Sequence, residues 1–196
     1  MIEVEKKFPL NEGDEEKLIA GAEFMNERVF TDVYYDDARY SLTKKDTWLR
    51  RRGERYELKV PLNDTLAERV TDQYEELETE AEIASFLGLN AETSFEATLR
   101  DAGYEPFCEI TTTRKKYRRE PFIVDIDSVD FGYRIAEIEL MVNSKEEIRT
   151  AADKILAFGK GLGLSEGLVR GKVAEFLRRE KPLHFQALVD ANVLKK

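Results

Sequence analysis

The feature that most restricts how this chain can fold is an alternation that puts charge on one whole face of strand after strand. In Ile2-Glu3-Val4-Glu5-Lys6-Lys7-Phe8 the residues Glu3, Glu5 and Lys7 share one face, and Ile2, Val4 and Phe8 the other, because successive side chains of a strand point to opposite sides. The pattern returns in Phe122 to Val129, where Asp125 and Asp127 lie opposite Val124 and Ile126, and in Arg134 to Val142, where Glu137 and Glu139 lie opposite Ala136, Ile138 and Leu140. Two further segments, Thr47 to Arg52 and Arg55 to Val60, read as a hairpin turning at Gly53-Glu54. Its first arm sets Trp48, Arg50 and Arg52 on one face, and its second sets Glu57 and Lys59 against Tyr56, Leu58 and Val60. Taken singly, each is an ordinary solvated strand face. Repeated with carboxylates and cations together, they point to a lined site.

Val29 to Asp36, Gln73 to Glu78 and the basic stretch Pro106 to Arg119 complete a set of strands. Helices are expected after Thr79, which has Glu82 at capping-box spacing, and over Ala91 to Ala102. Ser144, with Glu147 three residues on, is expected to cap a helix whose apolar positions are Ile148, Ala151, Ala152, Ile155 and Leu156. Amphipathic helices over Leu168 to Arg178 and Leu183 to Asn192 follow. The apolar stripes of these helices match the apolar faces of the strands, so helices outside and charge inside is the simplest arrangement. An antiparallel sheet of about eight strands tends to close, since closure removes its edges. The expected fold is therefore α+β: a closed eight-stranded antiparallel barrel with a charged interior and helices outside, forming one domain over residues 1–196.

Composition narrows the partners. The 196 residues carry 40 acidic and 31 basic side chains for a net charge of −9, which argues against a chain that coats nucleic acid by bulk charge. No apolar run reaches the roughly 18 residues of a membrane span, and no secretory leader is visible. With one cysteine, Cys108, no internal disulfide can form, and a reducing, cytosolic compartment is expected. Cys108 reads as a small core residue. The single histidine, His184, reads as structural or solvent-facing, which leaves no histidine or zinc chemistry to expect.

A mixed lining of carboxylates and cations needs counter-charges, which are either one another or a ligand. Clustered carboxylates bind hard divalent cations, and arginine forks and lysine ammonium groups match phosphate oxygens. A metal-chelated polyphosphate satisfies both, and metal-assisted attack at phosphorus is the reaction it invites.

The residues resemble those of the CYTH superfamily, the triphosphate tunnel metalloenzymes. Glu3-Val4-Glu5-Lys6-Lys7 fits its ExExK signature. Tyr34-Tyr35-Asp36, Trp48-Leu49-Arg50-Arg51-Arg52, Glu57-Leu58-Lys59, Tyr74-Glu75-Glu76-Leu77, Arg114, Val124-Asp125-Ile126-Asp127, Asp130-Phe131-Gly132-Tyr133, Glu137-Ile138-Glu139 and Gly171-Lys172 follow in order. The similarity is greatest to the animal-type thiamine triphosphatase branch, with which Trp48 before the arginine strand and the YYD segment are associated. This resemblance implies an eight-stranded tunnel and Mg²⁺-dependent hydrolysis of thiamine triphosphate, with Mn²⁺ as an alternative ion. It implies that Glu3, Glu5, Asp125, Asp127, Glu137 and Glu139 hold the metal. Lys7, Arg50, Arg52, Lys59, Arg114 and Lys172 would grip the triphosphate, Trp48 and Glu76 would meet the thiamine cation, and Tyr34 with Lys59 would activate water. A monomer acting on a small organic triphosphate, with neither nucleic acid nor membrane as partner, is expected. Inorganic tripolyphosphate or a nucleoside triphosphate as substrate, a cyclase, and a non-catalytic polyphosphate-binding module are the alternatives. In the last, a surplus of carboxylates would repel the ligand unless a metal intervened.

Overall fold

The computed structural model describes residues 2–61, 74–90, 94–165 and 169–195. The strands are β1 (Ile2–Pro9), β2 (Glu23–Asp36), β3 (Trp48–Arg52), β4 (Arg55–Pro61), β5 (Tyr74–Leu77), β6 (Glu105–Arg119), β7 (Phe122–Val129) and β8 (Tyr133–Val142). They form one eight-stranded sheet in the order β1-β8-β7-β6-β2-β3-β4-β5. Every ladder whose register is described is antiparallel. The helices are α1 (Asp14–Ile19), α2 (Glu80–Leu87), α3 (Phe95–Asp101), α4 (Ile148–Gly161), α5 (Lys172–Glu180) and α6 (Pro182–Asp190).

The strands fall where the alternation puts them, but the sheet is open and not closed as expected. Its order is linear, with β1 and β5 as its ends, and among the described residues no ladder joins them. One end strand, β5, pairs with β4 over only four residues, Tyr74 to Leu77, which is a short edge.

The residues group into two compact units. The first holds β1, α1, β7, β8 and α4, with the start of β2, the end of β6 and Lys172. Its core joins Val4, Phe8, Val124, Ile126, Ala136 and Ile138 on the strands to Ile148, Ala151, Ala152 and Ile155 on α4. Those are the apolar faces of the alternating strands and the apolar stripe of the helix. Helix α4 comes close to β1 because position 159 lacks a side chain: a Cβ on Gly159 would stand 2.6 Å from the Phe8 ring.

The second unit holds the rest of β2 and β6 with β3, β4, β5, α2, α3, α6 and α5 beyond Lys172. Its core is built on Tyr35, Leu49, Tyr56 and Leu58, covered by Ile83 and Ala84 of α2 and by Phe95 and Leu99 of α3. The β3–β4 hairpin pairs Arg52 with Arg55, and Gly53 between them has φ 60°, a left-handed conformation that glycine adopts without steric cost.

Local signals held in part. Thr79 and Glu82 form the reciprocal capping box on α2. Ser144 does not cap α4: a 3-10 turn over Lys145–Glu147 comes first, and the Glu147 carboxylate accepts from the Asn143 N–H at 2.9 Å instead. Strand β2 starts at Glu23, six residues earlier than expected, through an exposed stretch without alternation. The six-residue helix α1, only about a turn and a half, was not anticipated. Helix α5 begins at Lys172 and not at 168; positions 91–93 and 168 of the expected helices lie outside the described residues.

Candidate active site

In the first unit, register brings the charges of four strands into adjacent rows. Lys7 on β1 lies across from Glu137 on β8, Glu137 across from Asp125 on β7, and Asp125 across from Lys116 on β6. One row over, Glu5 lies across from Glu139, and on the other side Arg114 lies across from Asp127. The four carboxylates of β7 and β8 are nearly inaccessible: Asp125 and Asp127 are 0% exposed, Glu137 5% and Glu139 7%.

Burial at this depth is sustained by specific partners. Arg114 is a fork: Nε and Nη2 each stand 2.7 Å from the two Asp127 oxygens, Nη1 is 2.6 Å from Asp125 Oδ2, and Nη2 also reaches Glu137. Lys172, the first residue of α5, places Nζ 2.5 Å from Asp127 Oδ2. Lys116 Nζ sits 3.0 Å from Asp125 Oδ1 and 3.2 Å from Glu139 Oε2, and Lys7 Nζ sits 2.5 Å from Glu5.

Carboxylate oxygens gather in two overlapping groups, Glu3-Glu5-Glu139 and Asp125-Glu137-Glu139, whose potential ligand atoms lie within 4.8 Å of one another. Three observations fit a hard divalent cation there. Asp125 Oδ1 is buried without a hydrogen bond, its contact with Lys116 being an ion pair that lacks hydrogen-bond alignment. The Glu139 carboxyl is pushed up to about 8, first by burial and then by the like charges of Asp125 and Glu3, as expected where carboxylates crowd without enough positive charge. The donor set is all oxygen, the preference of Mg²⁺ and Mn²⁺. Glu137 differs. Burial alone would raise it, but Arg114, then Lys7 and Lys172, hold it well below the usual carboxylate range. Asp127, expected as a metal ligand, belongs to neither group; Arg114 and Lys172 occupy both its oxygens.

In the second unit the rows are Tyr34–Arg50–Glu57 and Trp48–Lys59–Glu76. Asp32, 2% exposed, accepts from Arg52 Nε at 2.7 Å and Nη2 at 2.8 Å, and lies 3.6 Å from Arg50 Nη1. Arg50 Nη2 also donates to Glu57 at 2.9 Å, while its Nε is buried without a partner. Lys59 Nζ is 2.5 Å from Glu76 and 3.9 Å from Glu57. Trp48 Nε1 donates to Asp46 at 2.8 Å.

Tyr34 and Lys59, expected to act as a pair, lie on different strands and different rows of the sheet. The two are two strands and one row apart, about 10 Å across the sheet and about 7 Å along it. The Tyr34 hydroxyl is buried beside Arg50 and pushed up to about 12, chiefly by desolvation, so it stays protonated at neutral pH. The charged neighbours of Lys59 are the carboxylates of Glu57 and Glu76. Of the basic run on β6, Arg114 and Lys116 reach the carboxylates, and Arg118 contacts Glu23 and Glu120 at the exposed end.

Sequence reasoning did not single out Asp32 or Asp46, and it named Tyr74 only within the Tyr74-Glu75-Glu76-Leu77 segment. Asp32 could have been found, since it shares the strand face of Tyr34 two residues away. His184 is buried: Tyr40 stacks on it with ring centroids 3.8 Å apart, and Nε2 lies 2.8 Å from Thr43 Oγ1.

The family model described as the CYTH domain matches residues 1–171. A protein named thiamine-triphosphatase from Homo sapiens is 33% identical over 98% of this chain and 91% of its own length. One of the same name from Macaca fascicularis is 32% identical over 100% and 93%. Among solved structures, the PH1819 protein from Pyrococcus horikoshii OT3 superposes with a TM-score of 0.67 at 24% identity, over 91% of this chain and 99% of that one. HpAC1 from Hippeastrum, titled a putative adenylyl cyclase with a dominant triphosphatase activity, superposes with a TM-score of 0.58 at 16% identity, over 90% and 95%.

Proposed function

The chain belongs to the CYTH family, and from that membership and the paired carboxylate and guanidinium clusters we propose that it is a Mg²⁺-dependent hydrolase of thiamine triphosphate. Its relatives support triphosphate hydrolysis in general; the substrate comes from the name borne by the two relatives that match nearly the whole chain. The observation that carries the metal half is the pair of overlapping carboxylate groups, in which buried oxygens of Asp125, Glu137 and Glu139 come within 4.8 Å of one another.

In this reading Glu3, Glu5, Asp125, Glu137 and Glu139 hold Mg²⁺, with Mn²⁺ as a substitute. The bound ion supplies Lewis acidity and neutralises phosphate charge. Lys7, Arg50, Arg52, Lys59, Arg114 and Lys172 are assigned to phosphate oxygens, as the family resemblance implies, with Lys116 added for its place beside Asp125. Asp127 and Asp32 keep the arginine forks in a fixed plane, which lowers the cost of organising them when substrate binds. A water oxygen bonds to the terminal phosphorus as the bond from that phosphorus to the bridging oxygen breaks, and the proton that the water loses passes to a phosphate oxygen and on to solvent. Thiamine diphosphate and phosphate leave, and the cations stabilise the charge that develops. Tyr34 supports Arg50, and Trp48 with Glu76 receives the thiamine cation by ring stacking and charge.

The test is phosphate release from thiamine triphosphate, tripolyphosphate, ATP and thiamine diphosphate, each with Mg²⁺, Mn²⁺ or chelator. The expected result is a preference for thiamine triphosphate that chelator abolishes and that Lys59→Ala weakens at least tenfold. Preference for tripolyphosphate or ATP would move the substrate within the family, and binding without release would replace hydrolysis by sequestration.

A further inference from the structure

Trp48 is not a loose ring at a strand start. It is held by a residue that the sequence reading passed over. Asp46 follows the 3-10 turn Thr43–Lys45 with φ 55°, a left-handed conformation that a short polar residue tolerates. The residue is 8% exposed. Oδ1 accepts from the Trp48 indole N–H at 2.8 Å, and the Tyr74 hydroxyl lies 3.1 Å from both carboxylate oxygens. One buried carboxylate thus grips two aromatic side chains, one on β3 and one on β5. Their neighbours are the Lys59–Glu76 ion pair, with Lys59 Nζ 6.0 Å from the centre of the Tyr74 ring.

We infer that Asp46 is a positioning residue that sets Trp48 and Tyr74 as a platform for a flat organic cation, and so determines preference for a triphosphate carrying one. A carboxylate that accepts an indole N–H locks the plane of the ring and adds electron density to its face, and cation attraction to a tryptophan face depends on both. An inorganic triphosphate has no group to place on such a platform. This inference rests on the proposed thiamine triphosphatase reading and adds to it the device by which the organic half is recognised.

Trp48 is the single tryptophan of the chain, so its emission reports this platform alone. The experiment titrates the full-length protein with thiamine triphosphate while following tryptophan fluorescence, for wild type, Asp46→Asn and Tyr74→Phe. It pairs this with kcat and KM on thiamine triphosphate and on tripolyphosphate. Asparagine tolerates the same left-handed backbone, so Asp46→Asn removes the charge without adding strain. The expected results are quenching of wild-type emission by thiamine triphosphate, and a shifted resting emission in Asp46→Asn. In both variants the ratio of kcat/KM for thiamine triphosphate over tripolyphosphate should fall about tenfold, carried by KM. Wild-type preference for thiamine triphosphate with an unmoved ratio and unmoved emission in Asp46→Asn would overturn the inference and leave the proposed function standing. Wild-type emission indifferent to thiamine triphosphate would overturn the inference whatever substrate is hydrolysed. Hydrolysis of none of these substrates would overturn the proposed function.

Discussion

Two aspartates two residues apart on β7 meet different atoms, and the difference bears on the roles proposed for them. Asp125 keeps one oxygen without a hydrogen bond beside Glu137 and Glu139, whereas Asp127 gives both oxygens to Arg114 and one of them also to Lys172. Asp125→Asn should therefore raise the Mg²⁺ concentration needed for half-maximal rate about tenfold or more. Asp127→Asn should leave that concentration alone and lower kcat/KM by about 10- to 100-fold, the scale of losing a charge-assisted contact. Mg²⁺ titrations of both variants check this; a raised Mg²⁺ requirement in Asp127→Asn would return that residue to the metal site. The alternation made both aspartates legible as members of a charged face. It did not reveal their division of labour, because the partners come from β6 and α5, 13 and 45 residues away.

Two elements are held by contacts that can be challenged separately. Helix α4 presses on β1 where Gly159 meets Phe8, which is 2% exposed. Alanine is the better helix former by about 1 kcal/mol, yet its Cβ would stand 2.6 Å from a ring packed in the core. Overpacking of this kind costs about 1–3 kcal/mol, so Gly159→Ala should lower stability, as urea unfolding would show. Helix α6 is anchored by His184 on Tyr40, Phe107 and Thr43. Its imidazole is held down at about 4, first by burial and further by Lys181 and Lys44, against the opposing pull of Asp36. The unfolded chain therefore takes up this proton near pH 6.5, before the folded one does. The contribution is complete above that pH and is lost as pH falls from about 6.5 to about 4, on the order of 2–3 kcal/mol. Urea midpoints at pH 7.5, 6 and 5 should fall in wild type and fall less in His184→Gln; equal slopes would remove His184 as the cause.

For the whole molecule the same carboxylate crowding that suits a metal should tie the ion to stability. Because the ligand atoms are assembled only in the folded chain, Mg²⁺ at about 100 times its dissociation constant should stabilise by about 2.7 kcal/mol. The thermal midpoint should climb by several degrees with Mg²⁺, return with chelator, and respond less in Asp125→Asn. A midpoint indifferent to Mg²⁺ and Mn²⁺ in wild type would count against a metal at this cluster. No described helix is long and apolar enough to cross a membrane.

The strand set, its charged faces and its helix-covered apolar faces were determined by sequence alone, because a period of two carries the side of every side chain without reference to the rest of the fold. That much made Glu3, Glu5, Asp125, Glu137, Glu139 and Arg50 legible as members of charged faces, whereas Arg114 was singled out by the family resemblance and not by spacing. Short or irregular pieces were not legible: α1 spans six residues, and Asp46 lies in a turn with no period to betray it. Only tertiary structure decided that the sheet ends at β1 and β5 without joining, that the Tyr34 hydroxyl is buried beside Arg50, and that Asp46 accepts from the Trp48 indole N–H. Each of those depends on register and on contacts between residues far apart along the chain or outside any periodic segment, and a local pattern specifies a face but not what stands across from it.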